Sequence, residues 1–459
     1  MIDSTVVQDV VIVIPGIMGS ELVDADGRPV WSVSAGALTR AIRSFGKSLK
    51  NLELPIGLGD EAPHDGIRAT SLLTSLHVVP GLWSPIIGYN GLLNFLRSAR
   101  FHLVEPSPGN TGLIPNLISF PYDWRLSNRY NGRLLAEVAV PALERWRRQP
   151  GMHQAQLVLV CHSMGGLVAR WFAEQEGGAE LIRALITIGT PYRGALKSAL
   201  TLVNGLDPGI GPLRLPLTAF ARSLPSMYQL LPQYDCLITD DGRADLITGH
   251  CPGLDASMLR DATAFHRDIT GRADTAYESY KVVGIRQPTP TTAQVSGALL
   301  VPSGEIDGHN QGGDGTVPRL AAELLVGRGK EVHEIAEQHG ELQSSRSLLD
   351  LVDGILSREQ IVWQNVPAGA FGVEMDDVMS TRDEIVVRVT NLNNRRLLVT
   401  LYDETDHLVG PPTSVSPDGT ASVGRLPEGG YRAVVGSGRP GGPPPISKPF
   451  LVIDPGVGV

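Results

Sequence analysis

The feature that most constrains the fold of this chain is a short apolar run, Leu157 to Val160, that leads at once into Cys161-His162-Ser163-Met164-Gly165-Gly166 and then into a helical pattern from Gly165 to Glu176. The order is strand, sharp turn, helix, with a serine at the apex. A turn this tight brings the backbone close to neighbouring strands, so small residues are needed two before and two after the serine; the usual pattern is G-x-S-x-G. Cys161 replaces the first Gly here, and a cysteine is small enough for that place.

A strand that feeds a helix through such a turn needs a sheet to lie in. Further Val/Ile-rich runs occur at Val10 to Ile14, Ala184 to Ile188 and Lys281 to Ile285, with helical spacing of apolar residues over Gly132 to Trp146 and Leu342 to Leu356. Continuous apolar runs separated by helices mark a parallel sheet covered on both faces, so the fold class is α/β. Two segments interrupt the alternation, about residues 24–90 and 196–280. Both are dense in Leu, Pro and Gly without good strand signals, and read as insertions that either cap the carboxyl ends of the strands, where α/β folds place their sites, or form ordinary surface padding.

Beyond about Glu359 the helical pattern stops. Glu384 to Thr390, Arg396 to Tyr402, Thr420 to Val423, Tyr431 to Val435 and Phe450 to Ile453 are short strand-like runs divided by turn residues. Residues 370–459 therefore read as a sandwich-like all-β module, with the Gly/Pro-rich stretch Gly436 to Pro445 as a loop inside it, and residues 1–360 as one large α/β unit.

Lys and Arg number 39 against 48 Asp and Glu, a net charge of −9, and no basic block supplies the field that phosphate backbones require, so nucleic-acid binding is excluded. No apolar run approaches the roughly 18 to 20 residues that span a bilayer. The first residues lack a basic secretory n-region, which sets a cytoplasmic expectation. Three cysteines make no disulfide framework; Cys236 and Cys251 could pair only in an oxidising compartment and are expected to be reduced.

A serine hydroxyl is a poor nucleophile at neutral pH unless an imidazole takes its proton and a carboxylate orients that imidazole. On an elbow of this kind the chain order is serine, acid, histidine. Asp314 lies in the tight loop Gly312-Gly313-Asp314-Gly315-Thr316-Val317-Pro318; Asp307 is its rival nearby, and the flanking glycines favour Asp314. His339 follows the strand candidate Glu331 to Ala336, in the loop where a general base belongs. His162 adjoins the serine on the same turn and is expected to point elsewhere, while His309 and His333 are other histidines of the region. The negative oxygen formed by serine attack must meet amide donors already in place. Met164 follows the nucleophile and supplies one; Ile17, in the glycine-rich turn after Val10 to Ile14, supplies the second. No cofactor or metal is expected.

At this point the chain resembles the lecithin:cholesterol acyltransferase family, which includes lysosomal phospholipases and phospholipid:diacylglycerol acyltransferases on an α/β-hydrolase fold. The resemblance rests on Ile14 to Leu22, Phe120-Pro121-Tyr122-Asp123-Trp124-Arg125, Cys161 to Gly166, Ile188 to Gly194, Leu224 to Pro232, Gly313 to Pro318 and Gln338-His339, in family order across about residues 8–357. It implies Ser163 as nucleophile, Asp314 as acid, His339 as base and the amides of Ile17 and Met164 as the oxyanion hole. It also implies a lipid ester substrate, acyl transfer to water or to an alcohol, and a cap that holds acyl chains. Leu82, Trp83, Pro85, Ile86 and Ile87 are read either as an apolar surface that touches membranes transiently or as buried cap core. The family's secreted members carry a signal and lid disulfides, and neither is expected here. The β module lies outside the resemblance and is a candidate surface for a protein partner. The reading from another class is a catalytically silent hydrolase fold that acts as an interaction protein through that module.

Overall fold

A computed structural model describes residues 6–32, 51–74, 88–98, 100–106, 112–205, 214–270, 276–323, 332–359, 371–393, 395–438 and 442–454. The apolar stretch from Leu82 to Ile87 lies outside the described residues.

Six parallel strands form the central sheet: β1 (Val10–Ile14), β2 (Leu117–Ser119), β3 (Leu157–His162), β4 (Ile182–Ile188), β5 (Glu278–Gly284) and β6 (Val332–Ile335), in the order β6-β5-β4-β3-β1-β2. Its continuous Val/Ile runs follow from burial on both faces. Along β1, Val10, Ile12 and Ile14 join one apolar cluster while Val11 and Val13 join the other. Along β3, Leu157, Leu159 and Cys161 face the first cluster, and Val158 and Val160 the second. An alternation of apolar and polar residues would leave one of these faces unpaired with a helix layer.

Four helices set the two layers: α1 (Asn90–Leu96), α2 (Asn128–Arg147), α3 (Gly165–Gln175) and α4 (Arg346–Ser357). Ser127 caps α2 by accepting from the Arg129 amide, and Ser345 caps α4 by accepting from the Leu348 amide. Leu135, Leu167 and Phe172 of α2 and α3 cover one face of the sheet, whereas Leu92 of α1 and Leu348, Val352 and Ile355 of α4 cover the other. With this topology and an elbow at the end of β3, the larger unit is an α/β-hydrolase fold. Among the described residues, no helix is long and apolar enough to cross a membrane.

The insertions contain more β structure than their sequence signalled. Ser20–Val23 pairs with Pro29–Trp31 and Arg68–Leu72, and Leu237–Thr239 and Gly242–Ala244 join Thr292–Ser296 and Leu299–Ser303 in a four-stranded sheet. Three of these strands, Pro29–Trp31, Leu237–Thr239 and Gly242–Ala244, hold only three residues, too few side chains for a periodicity to register. The second insertion is not surface padding: Leu202, Phe220, Leu224 and Phe265 are fully buried in the same cluster as β1 and β3.

The carboxy-terminal segment holds β7 (Gly372–Glu374), β8 (Val378–Ser380), β9 (Ile385–Thr390), β10 (Leu398–Asp403), β11 (Thr413–Ser414), β12 (Thr420–Gly424), β13 (Gly429–Gly436) and β14 (Ile446–Ile453). They form two sheets, β7-β9-β12 and β8-β14-β13-β10-β11. Ile385, Val387 and Val389 of one sheet share an apolar cluster with Val399, Ala433, Val435 and Phe450 of the other, so the two sheets face a common core. Cys161, Cys236 and Cys251 are free thiols and all three are buried.

Candidate active site

The serine stands where β3 turns into α3. Its backbone takes φ +52°, in the left-handed region that β-carbon-bearing residues seldom adopt, and its amide donates to the Ile188 carbonyl of β4 at 2.8 Å. The two glycines that follow are sterically required. A Cβ on Gly165 would come within 2.4 Å of the Pro15 carbonyl oxygen, and one on Gly166 within 2.1 Å of Thr190 Oγ1. Cys161, where the usual pattern has its first Gly, is wholly buried near the end of β3 and forms no disulfide.

The acid and the histidine reach this serine from loops after β5 and β6. His339 Nε2 lies 2.8 Å from Ser163 Oγ, and its Nδ1 lies 2.7 Å from Asp314 Oδ2. The three side chains are each no more than 1% exposed. The other carboxylate oxygen, Asp314 Oδ1, accepts from the amides of Thr316 (2.9 Å) and Val317 (2.7 Å). Those two amides orient the carboxylate, so Oδ2 is left to receive the His339 Nδ1 proton. With Nδ1 as donor, Nε2 is the acceptor that faces the serine hydroxyl. The rival Asp307 is at the surface, paired with Arg243 at 3.2 Å. His309 is exposed, and His333 is buried within β6.

The turn after β1 lies against the serine. A Cβ on Gly16 would fall 2.9 Å from Ser163 Cβ, so only hydrogen fits between that turn and Ser163. Ile17 and Met164, which follow Gly16 and Ser163 in the chain, are both fully buried. The Phe120 to Arg125 motif braces this turn. Tyr122 donates its hydroxyl to the Pro15 carbonyl (2.9 Å), and Trp124 donates its indole N–H to the Ser20 carbonyl (3.3 Å). Arg125, buried, pairs with Asp123 and with Asp65 of the first insertion, while its carbonyl accepts from Ser226 of the second. One motif therefore ties both insertions to the turn beside the serine.

A second polar chain links the turn to the histidine loop. The Gly16 amide donates to the Tyr89 hydroxyl (2.8 Å), which lies 2.9 Å from His162 Nδ1, and His162 Nε2 lies 3.0 Å from the His339 carbonyl. A carbonyl only accepts, so Nε2 carries the ring proton and Nδ1 accepts from Tyr89. Burial, reinforced by the neighbouring His339, pushes the His162 imidazole down to about 3, so the ring is neutral at ordinary pH. The His162 ring is engaged by Tyr89 and by the His339 carbonyl, and its link to Tyr89 was not legible. Tyr89 stands 73 residues away in sequence, at the end of an insertion.

Among the described residues, no cluster of His, Cys, Asp and Glu is placed to hold a metal ion. Residues 99–250 match the lecithin:cholesterol acyltransferase family model, which bears out the resemblance carried by the motifs; the matched stretch contains Phe120 to Arg125, the elbow, and Leu224 to Pro232. That match supports an ester hydrolase or acyltransferase of lipid type. Among curated proteins, none matches the sequence. Among solved structures, the chain is similar to the Tle4-Tli4 complex (17% identity, 75% of this chain and 97% of that one, TM-score 0.48). It is also similar to the mature Bacillus licheniformis lipase BlEst2 (13%, 52% and 78%, TM-score 0.32) and to the Legionella pneumophila phospholipase PlaB in complex with thio-NAD (10%, 78% and 83%, TM-score 0.26).

Proposed function

We propose that this chain, similar to the lecithin:cholesterol acyltransferase family through the segment that bears its elbow, is a serine acyl hydrolase or acyltransferase that works through Ser163, His339 and Asp314. The observation that carries the reading is the unbroken hydrogen-bonded line from Asp314 Oδ2 through His339 to Ser163 Oγ, at 2.7 and 2.8 Å. His339 Nε2 takes the serine proton as Oγ attacks the ester carbonyl carbon, and Asp314 holds the imidazolium so formed. The amides of Ile17 and Met164 receive the negative oxygen of the tetrahedral intermediate. Collapse breaks the bond to the leaving alkoxide, which receives the proton from Nε2, and leaves an acyl-Ser163 ester. Water or an acceptor alcohol, deprotonated by the same nitrogen, then attacks the acyl group and releases the serine.

The preferred substrate is a phospholipid acyl ester, with neutral lipids and small esters as the close alternative. Residues 1–360 form the acyl-transfer unit in this reading, and residues 370–459 an accessory module. Mixed lipid vesicles incubated with the purified protein should yield lysolipid and free acid, or a new ester, by mass spectrometry. Ser163→Ala should abolish these products and also abolish labelling by a fluorophosphonate. Full activity of Ser163→Ala on every ester tested would sink the mechanism. An unlabelled Ser163 in wild type would favour a silent fold acting through its module.

A further inference from the structure

We infer that the carboxy-terminal sandwich is a positioning element for the loop that bears His339, so that acyl transfer depends on the module being docked. The inference rests on the serine-hydrolase reading and assigns the module a part in it. The turn Glu337 to Glu341 is held by two strands of the module, on both sides of the histidine. Before it, Gln338 Nε2 donates to the Val373 carbonyl of β7 (2.9 Å) and to Gln287 Oε1 (2.8 Å), while the Val373 amide donates to that same Gln287 oxygen (3.0 Å). The three residues close a ring between the base loop, the segment after β5 and the module. Glu337 Oε1 accepts from the Ser447 amide of β14 (3.2 Å), and after the histidine, Glu341 Oε1 accepts from the Ser447 hydroxyl (2.9 Å).

All of these side chains are buried. Buried polar groups are costly to leave unpaired, so the loop keeps this conformation only while the module supplies its partners. The approach is close: a Cβ on Gly372 would stand 2.5 Å from the Arg286 carbonyl oxygen. A further ionic contact fixes the docking. Burial alone would raise the Asp377 carboxyl, but Lys197 of the second insertion and Lys448 of β14 both bond to it and hold it low. On the opposite side, His339 is held by the larger unit: its amide donates to the Asp314 carbonyl (2.8 Å), and its carbonyl accepts from His162. The base is thus gripped between two bodies, and its reach to Ser163 depends on both.

The test uses the full chain as wild type, Ser447→Ala, Ser447→Thr and Gln338→Ala, at a temperature well below their melting midpoints. Three quantities are read: the fluorophosphonate labelling rate of Ser163, kcat and KM on a soluble short-chain ester, and the thermal midpoint. Misplacing a base costs rate and not affinity. Both alanine variants should label and turn over about tenfold more slowly with KM changed less than about twofold, and Ser447→Thr, which keeps the hydroxyl, should recover to within about twofold of wild type. The inference is overturned if both alanine variants keep wild-type kcat, or if the loss lies wholly in KM. It is likewise overturned if Ser447→Thr fares no better than Ser447→Ala. Should Gln338→Ala not fold, Ser447→Ala and Ser447→Thr decide. A wild-type protein that neither labels nor turns over removes the hydrolase reading itself, and this inference with it.

Discussion

Replacing Asp314 by Asn separates proton order from geometry along the line to Ser163. The backbone decides how the new side chain lies. Asp314 Oδ1 receives two amide protons, from Thr316 and Val317. An Asn must keep its carbonyl oxygen on that side, because its NH2 cannot face two donors. The NH2 then takes the place of Oδ2 and points at His339 Nδ1, now 2.7 Å away. Nδ1 is forced to accept, the ring proton moves to Nε2, and the nitrogen facing Ser163 can no longer take a proton. A wrong tautomer of this kind costs about 10⁴-fold in kcat, which at about 1.36 kcal/mol per decade is about 5 kcal/mol of barrier. Stability moves far less. The two amide bonds survive but lose their charge assistance, about 1 kcal/mol each, so unfolding should be eased by about 2 kcal/mol. Ester turnover and a urea melt on the same preparation measure the two effects. A folded Asp314→Asn protein within about tenfold of wild-type kcat would refute the tautomer argument.

Two further outcomes rest on buried groups. Tyr89→Phe removes the hydroxyl between Gly16 and His162 and leaves a buried amide and a buried ring nitrogen unpaired, for a loss of about 2–4 kcal/mol read as a lower urea midpoint; an unmoved midpoint would show that the chain through Tyr89 carries no load. Glu341 titrates in the opposite sense to most carboxyls. Burial raises it from 4.5 to about 7, so its stabilising contribution is whole below pH 4.5 and fades as pH rises to 7, by up to about 3 kcal/mol. Glu341→Gln does not titrate, so its melting temperature relative to wild type should climb between pH 4.5 and 7; parallel pH curves would contradict this.

The parts of the molecule that the sequence disclosed are those whose determinants are local. The elbow is legible because Ser163, Gly165 and Gly166 answer to the turn they stand in, and the sheet because each strand must be apolar on two faces. Strand β2 is not, since three residues before Phe120 hold too little pattern. The role of Pro121 to Arg125 was hidden for another reason. Its conspicuous composition marks it as special, but Asp65 and Ser226, the partners that make it a brace, lie 60 and 101 residues away. The contact of Ser447 with Glu337 and Glu341 spans more than 100 residues and joins two units that look independent in composition. Nothing in a strand of a β module announces which loop of another unit it will hold.

The buried cysteines have a practical consequence. Cys161 stands two residues before Ser163, close enough in sequence that a thiol reagent abolishing activity would be taken as evidence for thiol chemistry at the elbow. Its sulfur has no exposure, Cys236 has none, and Cys251 is 9% exposed; burial also raises all three thiols above their ordinary range. Alkylation therefore waits on opening of the core. Inactivation by such a reagent counts molecules that have unfolded, and its rate under native conditions is a clock for that opening.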